Sequence, residues 1–204
     1  MSERRKYDSL RRTEQALLTR AGIAEAARRL FVAQGWAATT VRDVAKEAGV
    51  SVPTVYSVYG DKPGLLRALA DSADLTADLA AQLTALEDAD GPGAQLAAMA
   101  AYDRRLYERA GDVIALIREA GRTDDAFAAA YRDARARGDQ TRVHVFTSWP
   151  QGALRPGLDV TEAVDVYAAI CNIDAYATLT VERGWTPERV ERWWADALGR
   201  ELLA

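Results

Sequence analysis

The side chains best suited to specific contacts with a partner molecule lie in one short stretch, between Thr39 and Lys62. The end of this stretch is predicted to form a short helix whose outer face is small, polar and aromatic, without acidic side chains. The outer positions are Val52, Pro53, Thr54, Tyr56, Ser57 and Val58. On a short helix, hydroxyl, methyl and aromatic groups can contact base edges in the major groove of DNA. We therefore predict a recognition helix.

Two short helices joined by a tight turn would position these side chains. Thr40 is a suitable N-cap for the first helix, from about Val41 to Ala48, because Asp43 follows at the spacing of a capping box. Gly49 tolerates the positive φ that a tight turn needs. Ser51 is placed to cap the second helix. The pattern as a whole predicts a helix-turn-helix.

From Arg20 to Lys62 the sequence resembles the DNA-binding domain of the TetR family of bacterial regulators. The family pattern is an apolar helix ending in LFxxxG, followed by TTVxxIAxxAGVSxxTxYxxFxxKxxL. The matching residues are Leu30, Phe31, Gly35, Thr39, Thr40, Val41, Ala45, Ala48, Gly49, Val50, Ser51, Thr54, Tyr56, Lys62 and Leu65. The departures are mild, since Val44 replaces isoleucine and Tyr59 replaces phenylalanine.

The resemblance implies a role for each position of the motif. Expected contacts to phosphates and the DNA backbone are Thr40, Ser51, Tyr56 and Lys62. Tyr59 is a further candidate, because it adds to the usual phenylalanine a hydroxyl that could bond a phosphate. Expected contacts to bases are Val52, Pro53, Thr54 and Ser57, with Arg42 on a base or a phosphate. This base-facing set has little capacity for bidentate readout of G or A. We therefore hypothesise that specificity depends on thymine methyl contacts and DNA shape. The residues alone leave open that Tyr56 and Tyr59 fill a core instead.

Charge is distributed unevenly along the chain. Residues 1–62 contain 11 Lys and Arg against 7 Asp and Glu, a net charge of +4, whereas the remainder contains 15 against 23, a net charge of −8. A basic module on an acidic body suits a protein that binds a polyanion with one part only. The basic residues of 1–12 are predicted to form a flexible arm, which either reaches a minor groove or is a disordered tail.

Turn signals divide the chain into about nine helices, which predicts an all-α fold. The expected domains are residues 1–62, a three-helix DNA-binding domain with a basic N-terminal arm, and residues 63–204, a larger helical domain. The first expected helix runs from Thr13 or Thr19 to Gln34 and is followed by the two helices of the motif. The remaining expected helices are Pro63 to Leu86, Ala94–Arg109, Val113–Ala120, Asp124–Phe146, Asp159 to Arg183 and Pro187 to Leu203. An interruption at Gly138-Asp139 is also considered.

By resemblance, the larger domain is expected to bind a small-molecule effector and to form a homodimer through its last two helices. An effector pocket is usually apolar with a few polar groups. The candidate effector-binding residues are Met99, Tyr102, Phe127, Tyr131, Trp149, Tyr167, Asn172 and Tyr176. The alternative is that these side chains simply fill the core. Asn172 and Asp174 are unusual in an apolar helix, so they are also candidates for contacts across the dimer.

The remaining residues give little support to an enzyme. His144 is the only histidine and Cys171 the only cysteine, so no multi-histidine metal site and no internal disulfide can form. No phosphate-binding loop, dinucleotide fingerprint or catalytic serine motif is present. We expect no catalytic residues, no metal and no cofactor.

The longest apolar run, Leu96 to Tyr102, has seven residues. That is too short for a membrane span, and the basic N-terminus lacks the apolar region of a signal peptide, so we expect a cytoplasmic protein. The predicted function is that of a dimeric regulator, usually a repressor in this family, which binds palindromic double-stranded operator DNA. The alternative is a helical small-molecule-binding protein or enzyme whose DNA-binding head is not used.

Overall fold

The structure, a computed structural model, describes residues 2–73 and 78–204, with side chains from Glu14 onward. Within these residues it contains ten α-helices, one π-helical segment and no β-strand, so the prediction of an all-α fold is confirmed. The chain divides into two compact units, Met1–Ala73 and Asp74–Ala204. No helix among the described residues is both long and apolar enough to cross a membrane.

The first unit consists of four helices: α1 (Ser2–Gln34), α2 (Val41–Glu47), α3 (Val52–Tyr59) and α4 (Lys62–Ser72). Helix α1 packs against α2 and α4, and α3 packs against α2 and α4. The buried side chains of this unit are Ile23, Ala26, Ala27, Phe31, Trp36, Thr39, Val44, Ala45, Val55, Leu65, Leu66, Leu69 and Ala73. The predicted boundary after Lys62 falls at the start of α4, whereas the compact unit continues to Ala73.

The second unit is built around one long helix. Its elements are α5 (Leu79–Glu87), α6 (Pro92–Ala120), α7 (Asp125–Thr147), α8 (Val160–Ile170), α9 (Ile173–Ala177), a π-helical segment (Thr178–Glu182) and α10 (Pro187–Leu202). Helix α6 contacts α5, α7, α9 and α10. On α10 the two adjacent tryptophans separate as their helical spacing requires, since Trp194 is fully buried and Trp193 is 38% exposed.

The helix starts follow the capping signals in the sequence. Capping boxes form at Thr40 with Asp43, as predicted, and at Asp159 with Glu162. The capping side chains of α3, α4 and α10 each accept a hydrogen bond from a backbone N–H in the first turn; they belong to Ser51, Asp61 and Thr186. Because these bonds satisfy donors that have no partner within the helix, they fix where each helix begins.

The prediction of a flexible arm at residues 1–12 is wrong for the backbone, since α1 begins at Ser2. Residues 2–12 contain no glycine or proline and include several good helix formers. Nothing in this stretch therefore stops the helix from continuing upstream of Thr13. Met1 lies outside the described residues.

Three predicted helix boundaries in the remainder of the chain are also wrong. The fourth helix ends at Ser72 instead of reaching Leu86, and α5 follows Asp78, whose φ of +69° is incompatible with a continuous helix. Helix α6 is unbroken at Gly111, where a Cβ would lie 2.9 Å from Cδ1 of Ile173. Glycine here permits close packing of α9 and does not end a helix. Residues 74–77 lie outside the described residues.

The third correction concerns the long helix expected to end at Arg183. It breaks after Ile170, because Asn172 acts as the N-cap of a new helix. Oδ1 of Asn172 accepts from the N–H of Ala175, and its Nδ2 donates to the carbonyl of Ala169. The interruption considered at Gly138-Asp139 is absent, since α7 runs continuously through both residues.

A polar group lies inside the core of the second unit. Asp103 is 4% exposed, and its Oδ2 accepts hydrogen bonds from the Tyr167 hydroxyl at 3.0 Å and from the Arg142 guanidinium at 3.2 Å. Arg142 also donates to Asp139 and lies over the Tyr167 ring, 4.4 Å from its centroid. Burial raises the pKa of Asp103, and Arg142 with Tyr167 opposes that shift by stabilising the carboxylate.

We predict that Asp103→Ala lowers the free energy of unfolding by about 3 kcal/mol, because it leaves a buried guanidinium and a buried hydroxyl without their main partner. Urea denaturation at a fixed protein concentration measures this change. Asp133→Ala, at an exposed position of α7, is the control and should change stability by less than about 1 kcal/mol. Equal effects of the two substitutions would contradict a structural role for Asp103.

Candidate nucleic-acid interface

The turn between α2 and α3 sets the direction of the candidate recognition helix. Gly49 has a φ of +66°, and the N–H of Val50 donates to the carbonyl of Ala45 at 2.9 Å. Ala45 and Val55 are 2% and 1% exposed, so the inner faces of both helices are in the core. Small residues on α2 and a positive φ in the turn allow α3 to cross α2 closely.

The opposite face of α3 is open to solvent. Pro53, Tyr56 and Ser57 are exposed, and Val52 and Thr54 are half-buried. Tyr56 is 52% exposed, so the alternative that it fills the core of this unit is wrong. No acidic residue occurs in α3. The surface therefore offers methyl, hydroxyl and phenol groups without a carboxylate that would repel a phosphate.

Two predicted contact residues, Thr40 and Ser51, use their hydroxyl groups to cap helices, and the hydroxyl of a third, Thr54, bonds to that of Ser51. Oγ1 of Thr40 donates to Oδ2 of Asp43 at 2.6 Å, and the bonds from its hydroxyl and then its N–H lower the pKa of Asp43. Oγ of Ser51 lies 2.8 Å from Oγ1 of Thr54 and accepts from the Thr54 N–H. All three residues remain at the surface or partly so, which fixes their hydroxyl groups in place beside the open face of α3.

Two other predicted phosphate contacts bond within the unit. The Tyr59 hydroxyl donates to the backbone carbonyl of Arg20 at 2.7 Å, and the Arg20 guanidinium lies 4.9 Å from the ring centroid. Burial of the ring raises the pKa of Tyr59. Nζ of Lys62 donates to the backbone carbonyl of Trp36 and lies 4.3 Å from the centroid of the Trp36 ring. Both residues thereby connect the end of α3 and the start of α4 to α1 and the loop after it.

Sequence reasoning missed the role of Trp36, which is 8% exposed and packs against Phe31. An aromatic residue directly after the Gly35 that ends α1 was the available signal. Its pairing with Lys62 was not visible, since 26 residues separate them. Thr39 has a similar role, because its hydroxyl donates to the carbonyls of Leu30 and Gly35.

Two exposed cations lie on α2 beside the open face. Arg42 and Lys46 are four residues apart, so both lie on the same side of the helix. Neither forms an ion pair with any residue that the structure describes. Glu47, by contrast, is paired with Arg29 at 3.2 Å. Sequence reasoning named Arg42 but missed Lys46, which the spacing of four could have indicated.

The eight predicted effector-binding residues do not form one site in the second unit. Met99, Tyr167 and Tyr176 are buried in one hydrophobic cluster, against which Trp149 packs. The other four lie outside this cluster: Tyr102, Phe127, Tyr131 and Asn172. Polar atoms of three members bond within the unit: Nε1 of Trp149 donates to Oε1 of Gln95 at 2.5 Å, the Tyr167 hydroxyl donates to Asp103, and the Asn172 amide bonds to backbone groups.

Comparisons with known proteins agree with the geometry of the first unit. Residues 23–69 match the family described as bacterial regulatory proteins, tetR family. The chain is 43% identical over 84 residues to the HTH-type transcriptional regulator TtgR of Pseudomonas putida. That alignment covers 41% of this chain, which therefore spans only 40% of the length of this curated relative.

Two solved structures share the fold along nearly the whole chain. A bacterial regulatory protein in the tetR family from Rhodococcus has a TM-score of 0.70 and 21% identity, over 91% of this chain and 98% of that one. The TetR family transcriptional regulator PfmR of Thermus thermophilus has a TM-score of 0.66 and 26% identity, over 89% of this chain and 96% of that one.

We predict that Tyr59→Phe lowers the free energy of unfolding by about 1 kcal/mol, because it removes the hydrogen bond to the Arg20 carbonyl. Tyr56→Phe removes the same hydroxyl from an exposed ring and is the matched control, with an expected change below about 0.5 kcal/mol. Urea denaturation of the two variants measures the difference. An unchanged stability for Tyr59→Phe would mean that its hydroxyl does not support the unit.

Proposed function

Since this chain belongs to the tetR family of bacterial regulatory proteins through residues 23–69, we propose that it is a transcriptional regulator that binds operator DNA with α3. The observation that carries the proposal is the solvent-exposed face of α3, which lacks acidic residues and is held in place by the Gly49 turn. A short helix of this kind can enter the major groove, where the side chains at its N-terminal end meet base edges.

The contacts divide into positioning and reading. The positioning contacts are bonds to phosphates, which fix the register of the protein on DNA. They come from Thr40, Arg42 and Lys46 at the start of α2 or on it, and from Tyr56 on α3. The reading residues are Val52, Pro53, Thr54 and Ser57. They offer methyl and hydroxyl groups, so thymine methyl contacts and DNA shape carry most of the specificity. Ser51 adds a contact to the DNA backbone.

Lys62 and Tyr59 act on DNA binding indirectly. Their polar atoms bond to Trp36 and Arg20, so they hold α3 and the start of α4 in place. This assignment differs from the phosphate contact that the family resemblance implies for Lys62 and from the one suggested by the Tyr59 hydroxyl. Replacement of either residue is therefore expected to lower the stability of the first unit, and to weaken DNA binding only as a consequence of that loss.

A homodimer completes the proposal, since one helix of eight residues buries too little surface to bind tightly alone. Two copies place two recognition helices on successive major grooves of a palindromic site. The last two helical segments carry the apolar side chains that support such a dimer. Val181 is 82% exposed and Trp193 is 38% exposed, with Trp185 packed edge-on against Trp193 at 6.1 Å.

A small-molecule effector would act through the second unit. Linkage requires that the effector bind one arrangement of the dimer more tightly than the other, and DNA and effector then alter each other's affinity equally. Repression is the usual mode of the family. We expect operator binding to take place in the cytoplasm. The single cysteine of the chain, Cys171, is buried in the core of the second unit.

Selection of bound duplexes from a randomised DNA pool tests the proposal, and we expect an inverted repeat bound by two copies of the chain. Tyr56→Ala should weaken binding to the selected duplex by roughly tenfold or more, because a phosphate bond is lost in each protomer. Its stability should change little, since Tyr56 is exposed. Failure of well-folded protein to enrich any sequence, with or without small molecules, would favour a helical binding protein whose head is unused.

The cations on α2 provide a second test, based on salt. Lys46→Gln should weaken binding to all sequences about equally and reduce the slope of log K against log salt by about 1 per protomer. Arg137→Gln, an exposed residue of α7, removes the same charge from the second unit and should leave the slope unchanged. Equal slopes for Lys46→Gln and the unaltered chain would exclude a phosphate contact at Lys46.

A further inference from the structure

A cleft of about 460 Å³ opens on the second unit where α6 ends and α7 and α9 begin. Its lining includes three arginines, Arg118, Arg122 and Arg132, together with Tyr131, Ala128 and Asp174. Among the effector candidates from the sequence, only Tyr131 lies here. The cleft is separate from the closed aromatic core that holds Met99, Tyr167 and Tyr176.

Close packing of α6 against α7 forms the base of this cleft. A Cβ at Gly121 would lie 3.0 Å from both Cα and N of Ala128, so glycine lets the two helices approach more closely than a residue with a side chain would. The approach brings Arg118, in the last turn of α6, and Arg122, in the turn that follows, into one cleft with Tyr131 and Arg132 of α7. The backbone of α6 and α7 sets the places of Arg118 and Arg132, and the turn after α6 sets the place of Arg122.

The charge of the cleft is opposite to that of its surroundings. Residues 74–204 contain 14 Lys and Arg against 22 Asp and Glu, a net charge of −8, yet the cleft carries three arginines and one carboxylate. Arg122 and Arg132 form no ion pair with any residue in the described ranges. Cations gathered in a concave site of an acidic unit favour a negatively charged ligand.

The third arginine already holds a carboxylate. Nη1 and Nη2 of Arg118 donate to the two carboxylate oxygens of Asp174 at 2.5 and 2.7 Å. Arg118 lowers the pKa of Asp174 through these bonds. The forked, planar geometry is the one in which arginine binds carboxylates best.

We propose that this cleft binds the effector, and that the effector is a small molecule with a carboxylate group beside an apolar or aromatic part. Arg122 and Arg132 pair with the carboxylate, together with Arg118 once Asp174 has released it, while the Tyr131 ring and Ala128 contact the apolar part. The volume lies within the range of ligand sites. This inference rests on the proposed function, since it assigns the effector of that regulator.

Binding at the cleft would be transmitted through Asp174. This residue lies on α9, and its pair with Arg118 connects α9 to α6. A ligand carboxylate competes with Asp174 for Arg118, and its binding releases that connection. Helix α9 leads directly into the π-helical segment, which bears the exposed Val181 of the proposed dimer surface. Effector binding and dimer geometry are thereby coupled.

Titration of the full chain with benzoate, without DNA, tests the site by calorimetry at constant ionic strength. Benzamide has nearly the same shape and no charge, so we expect saturable binding of benzoate and much weaker binding of benzamide. The double variant Arg122→Gln/Arg132→Gln should weaken benzoate binding at least tenfold. Arg137→Gln removes one charge from α7 outside the cleft and should leave the affinity within about twofold.

A second pair of variants tests the competition. Asp174→Asn frees Arg118 and should strengthen benzoate binding several-fold, whereas Asp133→Asn removes the same charge from α7 outside the cleft and should have little effect. Both changes are at exposed positions, so the variants remain folded. Equal effects of the two substitutions would overturn the exchange between Asp174 and the ligand.

Other outcomes would overturn the site itself. These are equal binding of benzamide and benzoate, unchanged benzoate affinity in the double variant, or no saturable binding of benzoate. If the chain bound inorganic phosphate saturably but did not bind benzoate, the carboxylate assignment would be overturned. The titration contains no DNA and the operator selection contains no benzoate. Failure of the cleft can therefore be distinguished from failure of the regulator.

Discussion

A helix of eight residues is not stable in water by itself, so whatever α3 presents to a partner depends on what holds its inner face and its two ends. Val55 supplies the inner contact, the Ser51 cap fixes the first turn, and Tyr59 bonds the last turn to the carbonyl of Arg20. Lys62 continues this support into α4 through Trp36. The outer face of α3 therefore does not have to supply core contacts, and its side chains remain available to contact a partner.

The second unit meets a different constraint, which is the placement of polar groups within a helical core. Asp103, Arg142 and Tyr167 satisfy one another there, so the low dielectric that would penalise each group alone strengthens their mutual bonds. At the surface of the second unit, by contrast, two guanidinium groups, those of Arg122 and Arg132, have no carboxylate partner among the described residues. In the cleft beside Arg118, guanidinium groups outnumber carboxylates, and this imbalance is what distinguishes a candidate ligand site from a structural ion pair.

The first unit could be predicted in detail because its signals are local. A capping box spans three residues, a positive-φ glycine is a property of one residue, and the inner face of a short helix follows from its period. Thr40, Gly49, Ser51 and Val55 accordingly take the predicted places. The errors arose where a residue had two possible local meanings, as at Gly111, which lies between two predicted helices but is part of one continuous helix and packs against Ile173.

The sequence by itself determined the all-α fold, the helix-turn-helix and the exposed outer face of α3, since periodicity and capping act between residues that are neighbours along the chain. Only the tertiary structure decided which polar atoms remain available. It paired Lys62 with Trp36 and Tyr59 with Arg20, and it assembled the cleft from residues as distant as Arg118 and Asp174. A hydrogen bond depends on the position of both partners in space, and no local pattern specifies a partner that lies tens of residues away.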